Sequence, residues 1–252
     1  ETEQSYVLTS LELAQRLFNY PDRVSSLVVR LAPGADAERV RRAVAEDLTH
    51  RFGMTIRPEE LFFTCGAAAA LISVIRALTV SPDSEFVAIA PYFPEYRVFI
   101  EGVKGKIKVI PPEPEHFQID FSAFEQAVTC RTKGVIINSP NNPSGIVLSS
   151  ETLTQLAALL EEKQRQFGHP IYLIADEPYR ELVYDGVEVP FLPTIYPNTL
   201  VCYSYSKSLS LPGERIGYVC VPSCVEGQAD VLHAVAGAAR SSGHVCPPTL
   251  VQ

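Results

Sequence analysis

The chain is 252 residues long, 46% hydrophobic and 20% charged, so it can bury a sizeable core as one large domain or two small ones and is not a disordered protein. Its 21 basic and 29 acidic residues give a net charge of −8 at pH 7, spread without a block, which excludes a basic stripe for nucleic acid and a cluster for an acidic lipid surface.

The pattern predicts a short amphipathic helix at 11–18, capped by Ser10 and broken by Tyr20-Pro21-Asp22. Asp36 then caps a longer helix, AERVRRAVAEDLTHRF, with apolar positions at Val40, Ala43, Val44 and Leu48 and a stop at Gly53. From there strands and helices alternate. Strands are expected at 61–65, 86–90, 106–110, 134–138, 171–175, 199–203 and 216–221; helices are expected at 67–78, 95–101, 121–128, 151–167 and 225–239. The strand runs are short and almost wholly apolar, as in GVIIN and IYLIA, which is the signature of strands covered on both faces. The expectation is therefore an α/β fold, a mostly parallel sheet with helices on both faces. Six cysteines (Cys65, Cys130, Cys202, Cys220, Cys224, Cys246) lack a Cys-x-x-Cys pair and read as reduced core thiols of a cytoplasmic protein. Five histidines are scattered without ligand spacing, so no metal site is expected, and neither is a secretory signal or a membrane span.

In such sheets ligands bind beyond the carboxyl ends of the strands, and the residues just past each expected strand carry chemistry. After the first come Gly66, Ala67 and Ala68, which leave the amides of a helix start open to a phosphate, although a packed alanine-rich helix start reads the same way. After the second comes PYFPEY, where two prolines fix a turn and Phe93 offers a face for a heteroaromatic ring; ordinary core aromatics are the alternative. After the fourth comes SPNNPSG, a rigid turn in which the Asn142 amide can donate to a phenolate oxygen. After the fifth comes Asp176-Glu177-Pro178-Tyr179. An acid ending an apolar strand needs a partner, so Asp176 is expected to meet a cation or a protonated ring nitrogen, unless it only caps the next segment; Tyr179 shares its face if the turn is helical.

The end of the sixth opens SYSKSLSLPGERIGY, residues 204–218. Lys207 sits among small hydroxyl residues, an unusual setting for a solvated lysine, and Arg215 follows eight positions later. An amine disfavoured as ammonium is a nucleophile, and hydroxyls with an arginine fork suit a phosphate dianion, which together point to Schiff-base chemistry on a phosphorylated cofactor.

Taken in order, SPNNPSG, DEPY, SYSK and GERIGY closely resemble the class I/II aminotransferases, the aspartate-aminotransferase-like branch of fold type I pyridoxal-phosphate enzymes, from about Asp36 to the chain's end. The resemblance implies that Lys207 carries pyridoxal 5'-phosphate as a Schiff base and shuttles the proton at the substrate Cα. It implies that Asp176 pairs with the ring nitrogen, that Tyr179 and Asn142 bond the phenolic oxygen, and that Phe93 stacks where many relatives carry Trp or Tyr. Gly66, Ala67, Ala68, Ser204 and Arg215 would bind the phosphate, with Ser206 a further candidate. It also implies a homodimer acting on an L-amino acid and a 2-oxo acid. Relatives usually add a small domain, with an arginine for the substrate carboxylate, and a tyrosine near residues 31–34; neither has a counterpart here. The expectation is thus an N-terminal segment at 1–35 and a pyridoxal-phosphate-binding large domain at 36–252, with the small domain largely absent, as in an incomplete sequence of a longer enzyme or a short member of the family. A carbon–sulfur β-lyase on the same scaffold and a non-catalytic binding module are the alternatives.

Overall fold

A computed structural model describes residues 37–244. The expected helix at 11–18 with its Ser10 cap, the Tyr20-Pro21-Asp22 break, the segment 31–34, the Asp36 cap and Cys246 lie outside the described residues.

The apolar runs join into one seven-stranded sheet. Its members are β1 (Leu61–Thr64), β2 (Glu85–Ile89), β3 (Lys106–Ile110), β4 (Thr132–Asn138), β5 (Tyr172–Asp176), β6 (Thr199–Ser204) and β7 (Gly217–Cys220), in the order β1-β7-β6-β5-β4-β2-β3. Strands β3, β2, β4, β5 and β6 run parallel, as doubly covered apolar runs imply. Strand β7 is antiparallel to both β6 and β1. The connection from β6 to β7 holds only a four-residue helix and a three-residue 3-10 turn, too little helix to carry the chain back to the far end of the sheet. Strand β3 departs from the covered pattern because it is an edge, and its Lys106 and Val109 are exposed.

Period-two alternation divides the core. Val135, Ile137, Leu173, Ala175, Val201 and Tyr203 pack on one face, with α1 (Ala37–Phe52), α4 (Phe121–Ala127) and α5 (Ser150–Phe167). Ile136, Ile174, Leu200 and Cys202 pack on the other, with α2 (Ala67–Leu78), α3 (Glu95–Gly102) and α7 (Gln228–Ser241). The remaining helix, α6 (Tyr205–Ser208), caps the end of β6.

Three expectations change. Helix α1 ends at Gly53 (φ +66°) as anticipated, but its buried face runs through Ala45 and Leu48 and leaves Ala43 exposed, because positions two apart on a helix point to different sides. Helix α7 starts at Gln228, after the left-handed Gly227, and Val225 packs in the core ahead of it. Cys202 and Cys220 are buried thiols, whereas Cys130 and Cys224 lie in turns and are exposed, so the core-thiol reading holds for only part of the set. No described helix is long and apolar enough to cross a membrane.

One close approach anchors the sheet under its carboxyl end. A Cβ on Gly217 would run into the Tyr203 carbonyl and lie 2.9 Å from Gly66 Cα, both backbone that has no room to give. The mutation Gly217→Ala is expected to cost roughly 2–3 kcal/mol or more in chemical denaturation. Gly237→Ala, at a helix position with open space around it, is the control and should be neutral or stabilise by about 0.5–1 kcal/mol.

Candidate active site

Strand parity decides where Asp176 points. As the last residue of β5 it shares the side of Ile174 and so faces α2 and α3. There the hydroxyl of Tyr96, a buried residue of α3, donates to Asp176 Oδ2 at 2.5 Å. The other carboxylate oxygen, Oδ1, is buried and has no hydrogen-bond partner among the described residues. Burial pushes the Asp176 carboxyl up to about 7, the neighbouring Glu177 carboxylate adds to the rise, and the Tyr96 hydrogen bond opposes it.

Asn138 organises the adjoining turn. Its Nδ2 donates to the Asp176 carbonyl (2.8 Å) and its Oδ1 accepts from the Asn142 amide (2.6 Å), so the ends of β4 and β5 and the SPNNPSG turn are tied together. Asn141 Oδ1 accepts from the Ser144 amide and hydroxyl, and Asn141 Nδ2 donates to the Pro91 carbonyl, closing the turn on itself and joining it to the turn after β2. Held this way, Asn142 Nδ2 donates to the Tyr179 hydroxyl at 3.2 Å, which leaves the tyrosine's own proton available to a ligand.

A second group of residues could hold an anion. Gly66 caps α2 with φ 85°, and a Cβ there would lie 2.7 Å from Arg215 Nη2. Arg215 itself adopts a left-handed backbone (φ 53°, ψ 53°), and its guanidinium donates to the Pro212 carbonyl (3.0 Å) and the Cys65 carbonyl (3.3 Å). Its fork is thus held beside the helix start. Ser204 Oγ caps α6 by accepting from the Ser206 amide, and the two hydroxyls hydrogen-bond at 2.7 Å. Lys207 follows on the same turn, with Nζ 5.8 Å from the centre of the Tyr179 ring. It is exposed, contrary to the expectation of a desolvated amine, because α6 is a single turn standing at the open mouth of the site.

All these residues meet at one cavity of about 340 Å3: Ala67, Ala68, Phe93, Asn142, Asp176, Tyr179, Ser204, Ser206, Lys207 and Arg215 line it, with Gly66 behind Arg215. Sequence reasoning missed Asn138, Leu71, Pro178 and Pro212, which also line it, and Tyr96 behind Asp176. Asn138 carried the signal that flagged Asp176, a polar residue ending an apolar strand; Tyr96 carried none. Arg97 points outward to Glu101 (2.8 Å). Arg180 is buried away from the cavity, ion-paired to Glu177 and packed on the Phe52 and Phe191 rings, so neither arginine serves the site. The donor set fits a ligand with a phosphate and a protonated ring nitrogen: an orphaned carboxylate oxygen needs a cation, and two hydroxyls, an arginine fork and a helix start need an anion.

The family described as aminotransferase class I and II matches residues 30–252. The chain is 36% identical to the "Probable aspartate/prephenate aminotransferase" of Thermus aquaticus over 80% of its own length and 51% of the relative's. It is 31% identical to the aspartate/prephenate aminotransferase of Thermus thermophilus, over 99% of its length and 63% of that protein's. Among solved structures, an amino transferase from Eubacterium rectale superposes with TM-score 0.83 at 50% identity, covering 95% of this chain and 60% of that one. The Thermus thermophilus aspartate aminotransferase with maleate superposes with TM-score 0.74 at 31% identity over 95% and 58%. The chain thus spans between half and two thirds of the length of these relatives.

The Asp176 carboxyl binds its proton more tightly in the folded chain than at its ordinary value of 3.8, so its contribution to stability is greatest below that value and is lost as pH rises through about 7. Without ligand, Asp176→Asn should therefore raise the thermal midpoint at alkaline pH, by a free energy on the order of a few kcal/mol, and change it little in acid. Equal effects at both ends of the pH range would contradict the buried, proton-hungry carboxyl.

Proposed function

We propose that this chain, which belongs to the class I and II aminotransferases, binds pyridoxal 5'-phosphate in the cavity above β4–β6 and forms the cofactor-binding domain of an enzyme that moves an amino group between an L-amino acid and a 2-oxo acid. The observation that carries the reading is the sharing of one cavity by a buried, unpartnered carboxylate oxygen, an arginine fork at a helix start and a primary amine.

The cofactor, when bound, supplies an electron sink for the charge left at a substrate Cα on loss of its proton. The protein's part is to hold and polarise it. Asp176 Oδ1 accepts from the protonated ring nitrogen and keeps that proton in place, since the carboxylate is stabilised by a cation it would otherwise lack. Asn142 and Tyr179 donate to the phenolic oxygen; their mutual hydrogen bond uses only one of the three protons they carry. Phe93, which Tyr96 props edge-on at 5.7 Å between centroids, would offer its face to the ring. The amides at the start of α2, Ser204, Ser206 and Arg215 hold the phosphate, the helix dipole adding to the arginine's charge. Lys207, the primary amine on the cavity wall, would be the residue that holds the cofactor at its aldehyde carbon and, once the substrate amine has displaced it there, the base that would carry the proton to and from the substrate Cα. Residues 36–252 form the cofactor-binding domain in this reading, and two chains pair as a homodimer.

Titration of the purified chain with pyridoxal 5'-phosphate should produce a visible absorbance band that changes on adding a suitable amino acid. Lys207→Ala should lose the band and lower amino transfer about 10³-fold or more. A band that forms and releases pyruvate and ammonia from cystathionine instead would replace the transferase with a β-lyase. Arg215→Ala should weaken pyridoxal 5'-phosphate about 10–100-fold, as loss of a charge-assisted contact implies, and leave phosphate-free pyridoxal within about threefold.

A further inference from the structure

We propose that Tyr96 is a positioning residue for Asp176: its hydroxyl occupies Oδ2 so that Oδ1 is presented, ionised and in a fixed orientation, to the ring nitrogen of the bound cofactor. The inference rests on the pyridoxal 5'-phosphate reading above and adds to it a residue that lies outside the cavity lining.

Three features of the site carry it. The Asp176 main chain is fixed by Asn138, which donates to its carbonyl, but nothing on β4 or β5 bonds its carboxylate. Among the described residues, the donor to that carboxylate is the Tyr96 hydroxyl at 2.5 Å, reached from a helix 80 positions earlier in the chain. A carboxylate has two equivalent oxygens, and engaging one of them removes the rotational choice and leaves a single oxygen facing the ligand. Tyr96 is itself held: it is 1% exposed, stacks on Tyr92 at 6.2 Å and meets Phe93 edge-on. One segment, residues 91–96, thus supplies both the aromatic face for the ring and the hydroxyl that steers the carboxylate beneath it.

Burial drives Asp176 toward its neutral acid, and Glu177, next in the chain, pushes in the same direction. Its other titratable neighbours are Cys202 on β6 and Tyr179 in the following turn, both held neutral by burial, with Lys207 and Arg215 on the cavity wall. The Tyr96 hydrogen bond favours the ionised form against that burial. Without it Oδ2 joins Oδ1 as a buried, unpartnered atom, the carboxyl takes a proton, and a neutral acid no longer retains a proton on the ring nitrogen.

The test compares equilibrium binding of pyridoxal 5'-phosphate with that of its 1-deaza analogue, in which a CH replaces the ring nitrogen, by fluorescence or absorbance titration between about pH 6 and about pH 9. The full chain is used as wild type, Tyr96→Phe, Asp176→Asn and the double variant. The wild type should prefer the natural ring about 10–100-fold, as a charge-assisted hydrogen bond implies. Tyr96→Phe should cut that preference about 3–10-fold and move its pH dependence upward, because the carboxyl ionises later. In the Asp176→Asn background the same change should alter the preference less than about twofold, since the residue it acts through is gone. Should the phenylalanine variant not fold, 3-fluorotyrosine placed at position 96, a stronger donor of nearly the same shape, should raise the preference instead. A Tyr96→Phe chain that keeps the full wild-type preference and pH profile overturns the role of Tyr96 and leaves the cofactor reading standing. A wild type that binds neither ring overturns both.

Discussion

The site turns on the burial of one carboxylate, that of Asp176, at the end of an apolar strand. Taking such a group out of water is unfavourable by several kcal/mol unless both oxygens are met, and here the described residues meet only one of them. The fold tolerates the deficit because the surroundings are stiff. Asn138 fixes the strand end, Tyr96 fixes the carboxylate, and the parallel neighbours β4 and β6 hold β5 in register on both sides. An unmet oxygen kept in place in this way faces the cavity in which the proposed ring nitrogen would sit.

The residues proposed to hold the phosphate depend on a different constraint, the close passage of backbone past backbone. Gly217 lets β7 run against the Tyr203 carbonyl and the Gly66 main chain, and Gly66 in turn leaves room for the Arg215 guanidinium. Arg215 is then fastened to two carbonyls, so its charge is delivered to the α2 start with little freedom left to lose on binding. The turn from β6 to β7 that breaks the parallel order of the sheet is the same turn that carries Lys207 and Arg215. The exception in the topology and the chemistry therefore occupy one stretch of chain.

Behind the lysine a further network ties the site to the rest of the molecule. The Tyr203 hydroxyl bonds both Ser208, next to Lys207, and Glu181, which also accepts from Arg51 of α1 at 3.0 Å. Nearby, the Arg180 guanidinium packs on the stacked Phe52 and Phe191 rings and pairs with Glu177. The exposed lysine thus stands on a helix whose base is anchored to α1 and to the turn after β5, which limits where its amine can go.

The local chemistry of the chain was legible from its order. Short, almost wholly apolar runs and a helix stopped by Gly53 mark the elements, because those patterns follow from backbone geometry and burial. Polar residues placed just past those runs mark the site, because a parallel sheet gathers its strand ends along one edge. What lay beyond the sequence depends on contacts between distant residues. The antiparallel β7, the exposure of Ala43 and Lys207 and the outward Cys130 and Cys224 are set by which neighbours each segment meets. Tyr96 shows the limit most clearly: as the sixth residue of PYFPEY it is one aromatic among several, and only packing α3 across the end of β5 brings its hydroxyl to the carboxylate of Asp176. Sequence alone pointed to Lys207, Asp176, Asn142, Tyr179 and Arg215 as the groups of the candidate site; tertiary structure added Asn138 and Tyr96 and decided which polar atoms are already satisfied and which oxygen is left, because satisfaction of a buried polar atom is a property of its neighbours in space.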